Sequence, residues 1–215
     1  MTTFLDLARA RRGHFQMESG LHCGLWFDLD AAFVDQAALD PFVTRLAQSL
    51  RRYDVEAVCG PLTGGAFLAQ LVARLLGSEF YFTAPQQAIR PSFHRAIRPS
   101  GHQASGSSGD QAIAYALPAG TTHRLLGKRL ALVDDVMSAG SSLRATMTAV
   151  ERHGAIPIVV GTLAVLGVTG ESFFKERGLR LETTGRAPFD TWRQPECPLC
   201  AAGVPLEDTA GAAAS

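Results

Sequence analysis

The stretch Leu130–Leu143, LALVDDVMSAGSSL, leaves a chain few ways to fold. A short apolar run ends in two adjacent carboxylates. A turn of small and hydroxyl-bearing residues follows and leads into a helical pattern. A strand feeding a helix through a tight turn is half of a βαβ unit, so the string predicts a parallel α/β sheet. In such sheets ligands gather beyond the C-terminal strand ends, and Asp134 and Asp135 stand at one. Carboxylates accept hydrogen bonds well from the vicinal hydroxyls of a ribose. Ser138, Ala139, Gly140, Ser141 and Ser142 are small enough for backbone N–H groups and hydroxyls to close around a phosphate at the next helix N-terminus. The string as a whole suits a sugar phosphate. A plain strand-to-helix turn with a capping Ser and Asp would account for any one of its residues.

The rest of the chain supports the α/β reading. Ile156 to Leu166 is almost wholly apolar, as a central parallel strand should be. Further strands are predicted at 55–60, 79–83, 113–117 and 179–181. Helices are predicted at 4–12, at 64–76 with Phe67, Leu68, Leu71, Val72 and Leu75 inward and Gly77 as the stop, at 142–153 with Leu143, Met147 and Val150 inward, and at 170–177. Asp40-Pro41 reads as the cap and first position of a helix running to about Tyr53. Phe15–Ser19 and Leu25–Asp30 read as a pair of strands punctuated by Gly20 and Gly24. The expected fold is a parallel twisted sheet flanked by helices, with a small N-terminal hood. The expected organisation is a single domain over 1–195 (hood about 1–35, core about 36–195) and a frayed, Ala-rich tail over 196–215. Residues 84–110, rich in Gly, Pro, Ser, Gln and Arg, read as one long loop, and loops of that length are commonly lids or disordered.

Composition narrows the function classes. A chain of 215 residues with 47% hydrophobic content can core one domain. Its formal net charge is zero, which gives no bulk electrostatic grip on nucleic acid or anionic membrane. No apolar run reaches the roughly 18 residues of a membrane span, and the N-terminus has no secretory signal pattern. Four cysteines are too few for a disulfide framework, so a cytoplasmic setting is expected.

The string at 130–143 closely resembles the phosphoribosyl-diphosphate (PRPP) signature of type I phosphoribosyltransferases. That resemblance implies Asp134 and Asp135 on the ribose 2′- and 3′-hydroxyls and Ser138 to Ser142 on the 5′-phosphate. It also implies Mg²⁺ bound mainly by PRPP itself, a nucleobase-type acceptor, and a homodimer with shared sites. About 70 residues upstream, Gly60, Pro61, Leu62, Thr63 and Gly64 follow a buried strand. Glycines there let backbone approach an anion, or simply make a tight turn. The segment resembles the family's diphosphate loop, which often carries a non-proline cis peptide, expected here near Gly60 or Leu62. Phe15, Glu18, Ser19 and Gly20 followed by Trp26 resemble the base-binding hood of orotate phosphoribosyltransferases; an ordinary hairpin would read the same way.

The departures from that family are specific. Glu18 stands where a Lys usually precedes the hood Ser-Gly. The 84–110 loop has no Lys, and offers Arg90, His94, Arg95, Arg98 and His102 as lid cations or as solvated charges. Gly167-Val168-Thr169 follows the long apolar strand with no Arg to meet an orotate carboxylate. The PRPP half of the site is therefore expected to be intact and the orotate half altered. Three activities remain open: a transferase acting on an orotate-like acceptor, a salvage transferase for another base, and a PRPP- or nucleotide-binding regulator. Cys197 and Cys200 resemble half of a zinc knuckle. Two thiolates do not close a tetrahedral site; a dimer could bring two pairs, or His22 and Cys23 could join. The expectation is a free or merely structural pair. Cys59 reads as a small buried hydrophobe, and Trp26 and Trp192 as core or interface anchors.

Overall fold

A computed structural model describes residues 3–17, 20–86 and 114–207. Helix α1 (Phe4–Leu7) is followed by strands β1 (Arg11–Gln16) and β2 (His22–Trp26), then helices α2 (Leu29–Val34) and α3 (Gln36–Leu50). Strand β3 (Ala57–Pro61), helix α4 (Gly64–Leu76), strand β4 (Glu79–Pro85) and the two-residue strand β5 (Tyr115–Ala116) come next. Strand β6 (Arg129–Met137), helix α5 (Ser141–Glu151), strand β7 (Ile156–Leu166), helix α6 (Thr169–Glu176) and strand β8 (Arg180–Thr183) complete the alternating part. Two short strands, β9 (Arg186–Ala187) and β10 (Thr191–Trp192), lead to helix α7 (Pro198–Ala201).

The main sheet has the order β5-β4-β3-β6-β7-β8, with β9 beside β7. Every pairing in it is parallel except β4–β5. Both faces of β6 are covered, and its residues alternate between two cores. Ala131 and Val133 join Leu46, Leu50, Leu68 and Val72 of α3 and α4. Leu130 and Leu132 join Leu143, Met147 and Val150 of α5, with Phe174 of α6. Burying both faces is why β6 and β7 carry near-continuous apolar runs. β3 has its chain successor β4 on one side and β6 on the other. The strand order therefore reverses between β3 and β6, which is where an open α/β sheet leaves a crevice at its C-terminal edge. The expected α/β architecture is the one observed.

A second sheet, β1-β2-β10, is antiparallel throughout. It joins the N-terminal hairpin to a strand near the C-terminus. The tail expected to fray is docked through residue 207: Cys197 is buried, and the Glu207 N–H donates to the His14 carbonyl at 2.7 Å. No helix among the described residues is long and apolar enough to cross a membrane.

Several local expectations are corrected. The first helix stops at Leu7 and β1 begins at Arg11, so 4–12 is not one helix. Residues after Trp26 leave the hairpin: Asp28 caps α2 by accepting from the Ala31 N–H at 3.0 Å. Asp35, not Asp40, caps α3, accepting from Ala38 at 3.0 Å. Pro41 consequently lies inside α3; there its missing N–H forfeits only the bond to the Ala37 carbonyl one turn back. Phe67 and Leu75 of α4 face outward, at 50% and 36% exposure. Small Ala69 and Ala73 lie inward instead, beside Leu68 and Val72.

Candidate active site

The β3–α4 and β6–α5 loops meet at the crevice. Asp134 and Asp135 sit inside the C-terminal part of β6, which runs on to Met137, with Asp134 paired in register to Thr162 of β7. Gly64 and Gly65 open α4 directly against them. A Cβ on Gly64 would stand 2.0 Å from Asp135 Oδ2, and one on Gly65 would stand 2.6 Å from Asp134 Oδ1. Gly60 is equally constrained, its Cβ position lying 2.0 Å from the Gly65 carbonyl oxygen. These glycines therefore make room for the acids and for the turn itself. The Leu62–Thr63 peptide is cis, in the place the family resemblance implied. The Leu62 N–H donates to the Thr83 carbonyl at 2.7 Å. Thr83 in turn shares a buried hydroxyl–hydroxyl bond with Thr146 of α5 at 2.7 Å, so β4 and α5 brace the loop.

The acid pair is held by backbone N–H groups rather than by a cation among the described residues. The Val136 N–H donates to Asp135 Oδ1 at 2.7 Å, and the Asp135 N–H donates to Asp134 Oδ1 at 3.1 Å. Among the described residues, neither acid pairs with a Lys or Arg. Burial pushes the Asp134 carboxyl well above the usual carboxylate range, and the neighbouring Asp135 charge pushes it further. Burial also raises Asp135, against the lowering pull of the Val136 N–H. Two acids held this way favour a donor, whether a hydroxyl, a water or a hydrated cation.

Helices α4 and α5 start at this edge without a side-chain cap. Their N-cap residues, Thr63 and Gly140, accept no helix N–H through a side chain. Gly140 has φ +73°, and a Cβ there would crowd Phe174 and Met137. By contrast α1, α2 and α3 are each capped, by Thr3, Asp28 and Asp35. The simple reading of a turn with a capping Ser is thus not what Ser138–Ser142 does. The free first turn of α5 presents its N–H groups and positive dipole end outward.

Beside this loop lies a cavity of about 760 Å³. Ser138, Ala139 and Ser141 form one wall and Leu166–Thr169, after β7, form another. Met17 and Leu21 at the hairpin tip and Pro188–Trp192 complete it. Neither acid lines it. Among the described residues Asp190 is its one charged lining residue, and none of them that lines it is a cation.

The residues singled out in the sequence are distributed as follows. Asp134, Asp135, Ser138–Ser142 and Gly60–Gly64 converge on the crevice. Phe15 is buried with its ring 5.9 Å from Trp26, and neither borders the cavity. Gly20 has φ +79° in the hairpin turn, closed by Met17 N–H donating to Leu21 O at 2.8 Å. Glu18, Ser19, Arg90, His94, Arg95, Arg98 and His102 lie outside the described residues. Met17 belongs to the hood string Phe15-x-Met17-x-Ser19-Gly20, and Trp192 reads from the sequence as a core or interface anchor; sequence reading missed Leu21, Phe189 and Asp190 as cavity walls. Their only prior signal was the Phe189-Asp-x-Trp192 aromatic pair, which does not announce a cavity without the β10–β2 pairing.

Comparison with known proteins decides the family. The phosphoribosyl transferase domain model matches residues 35–172. The chain belongs to the type I phosphoribosyltransferase family. It is 26% identical over 195 residues to orotate phosphoribosyltransferase of Thermotoga petrophila, covering 91% of this chain and 88% of that one. It is 27% identical over 203 residues to the enzyme of that name from Caldanaerobacter subterraneus, covering 94% and 91%. Its fold is similar to the crystal structure of orotate phosphoribosyltransferase from Aeropyrum pernix, with a TM-score of 0.58 at 21% identity over 82% of this chain and 87% of that one.

Proposed function

We propose that this phosphoribosyltransferase transfers the 5-phosphoribosyl group of PRPP to a ring nitrogen of an uncharged or amino-bearing base. The observation that carries the PRPP half is the acid pair, without a cation among the described residues, pressed against the Gly64–Gly65 turn between two helix starts without side-chain caps. Asp134 and Asp135 accept from the ribose hydroxyls, and Ser138–Ser142 with the first turn of α5 hold the 5′-phosphate. Gly60–Gly64 and the first turn of α4 face the diphosphate. The C1–O bond to diphosphate breaks as the C1–N bond to the base forms, and the base's N–H proton leaves to water or diphosphate. Catalysis comes from alignment of the two partners and from stabilising the departing charge. The desolvated acid pair also fits Mg²⁺ held mainly by the substrate's diphosphate and hydroxyl oxygens, where it would neutralise leaving-group charge. Arg90, His94, Arg95 and Arg98 are proposed as lid cations for the same diphosphate, working across a homodimer. A cytoplasmic setting fits the four free cysteines.

The cavity supports the acceptor assignment. An orotate carboxylate placed there would meet Asp190 and, among the described residues, no lining cation, a like-charge contact that disfavours it. Apolar Met17, Leu166 and Val168 with Phe189 and Trp192 suit a flat ring. Diphosphate release from PRPP across a panel of bases tests the reading. Release is expected with a neutral or amino-bearing base at higher kcat/KM than with orotate. A preference for orotate overturns the acceptor assignment, and tight PRPP binding without turnover on any base makes the protein a sensor instead.

A further inference from the structure

We propose that His14, His22, Cys197 and Cys200 form a structural zinc site that clasps the C-terminal segment to the N-terminal hairpin. One potential ligand atom from each of the four lies within 4.8 Å of all the others. His14 Nε2 is 2.9 Å from His22 Nδ1, 3.5 Å from Cys197 Sγ and 3.7 Å from Cys200 Sγ. His22 Nδ1 is 3.3 Å from Cys200 Sγ. A tetrahedral zinc with Zn–N near 2.0–2.1 Å and Zn–S near 2.3 Å has ligand–ligand edges of about 3.3–3.8 Å. The 3.3, 3.5 and 3.7 Å separations fall in that range, and the 2.9 Å histidine pair would open by a few tenths of an ångström to admit the ion.

Hydrogen bonding alone does not satisfy them. His14 Nδ1 lies 2.7 Å from the Val204 carbonyl, which can only accept, so Nδ1 carries the proton and Nε2 holds a lone pair. One lone pair faces three neighbours and can accept from only one. A metal at the centre engages all four ligands together. The Val204 contact is then the outer bond that orients a ligating imidazole. His14, His22 and Cys197 are 1%, 1% and 2% exposed, and the cluster opens to the surface only at its Cys200 corner. Two nitrogens and two sulfurs in a closed tetrahedron select zinc over magnesium or calcium.

The fold explains how residues so far apart in sequence meet. β1 and β2 set the two histidines on adjoining strands, and β10 pairs Trp192 with His22. The chain then needs only five residues to reach Cys197. His22 and Cys200 are 178 residues apart, and cross-links that close long loops restrict the unfolded chain most. The clasp would also hold Phe189 and Trp192 against the cavity, a consequence that rests on the acceptor reading above; the metal site itself does not.

Metal analysis of the full chain purified with reduced thiols tests the site without reference to turnover. About one zinc per chain is expected, surviving gel filtration. Cobalt(II) in its place should give the intense visible bands of a tetrahedral ion and thiolate charge-transfer absorption. The double variant Cys197→Ser/Cys200→Ser should lose the metal, while Cys23→Ser and Cys59→Ser should keep it. Should that double variant fail to fold, the cobalt spectrum of the unaltered chain still decides. No bound metal at saturating zinc, a six-coordinate cobalt spectrum, or a Cys197–Cys200 disulfide overturns the proposal. If the zinc is present and the base panel gives no turnover, the metal site stands and the transferase reading fails.

Discussion

The strand-end crevice and the hairpin–tail junction are built on opposite plans. The crevice comes from two short strings, 60–65 and 134–142, each a strand end with its own loop and helix start. The junction comes from residues near both chain ends, joined by β10 pairing with β2 and by four side chains that share no local pattern. The crevice buries two carboxyls that have backbone N–H donors but, among the described residues, no cation, and so it costs stability. The junction removes chain freedom, and so it adds stability. In this molecule binding and holding are separate duties of separate regions.

Replacing both acids, Asp134→Asn with Asp135→Asn, probes the first plan most directly. Each carboxylate–hydroxyl bond is worth about 1.5–3 kcal/mol, so PRPP affinity, read by calorimetry, should fall roughly 10²- to 10⁴-fold. The same variant should be more stable near neutral pH. Both carboxyls are raised in the folded state, so the unfolded chain releases their protons first as pH rises. The folded protein is thus penalised above the ordinary carboxylate value, and the penalty vanishes below it. Melting temperatures of variant and parent should converge on acidification. A variant that binds PRPP as before, or gains no stability at pH 7, removes the contrast between the regions.

Chelation attacks the second plan. Stripping metal should lower the melting temperature by several degrees or more, since zinc that binds only the folded chain contributes its binding energy to folding. It should raise the KM for the base more than the Kd for PRPP, because the cavity wall and not the acid pair hangs from the clasp. Equal loss of both would join the two regions into one cooperative unit.

Gly64→Ala sharpens the claim that the glycines serve the acids. Its Cβ would lie 2.0 Å from Asp135 Oδ2, so either the turn or the carboxylate must move. A cost of about 1–3 kcal/mol in stability is expected, with PRPP affinity down at least about tenfold. An unperturbed affinity would detach the turn from the acids.

The two plans also explain what was legible in the sequence. LALVDDVMSAGSSL carries its meaning within fourteen residues: a strand and a helix start stand in the order it predicts, though β6 runs on to Met137 and so takes in both acids, which the apolar run placed at its tip. Ile156–Leu166 forms a strand over the residues its apolar run marked. Helix starts were less legible: Asp28, Asp35 and Asp40 are all chemically able to cap, and it is Asp28 and Asp35 that accept the helix N–H groups. The histidine–cysteine group was not legible. Cys197 and Cys200 show half a motif, but His14 lies in a strand whose register against β2 includes a bulge between Arg12 and Phe15. Cys23, adjacent to His22 in sequence, is the more obvious partner. Alternation along β2 turns it away.

The smallest expected effect separates the clasp from the charges around it. Arg11 and Glu207 form an ion pair of 2.9 Å at the same junction, with side chains 39% and 41% exposed. Gly13 lies beneath it, its Cβ position 2.0 Å from Glu207 Oε1. A half-exposed pair is screened by water and salt, so Arg11→Ala should cost about 0.5 kcal/mol or less, and less again in high salt. Denaturant melts at two salt concentrations measure this. The Arg11 guanidinium also stacks 4.9 Å from the Phe15 ring, so any loss that survives high salt reports that contact instead. A loss of several kcal/mol would mean that surface charge, rather than the buried four-residue cluster, holds the tail to the hairpin.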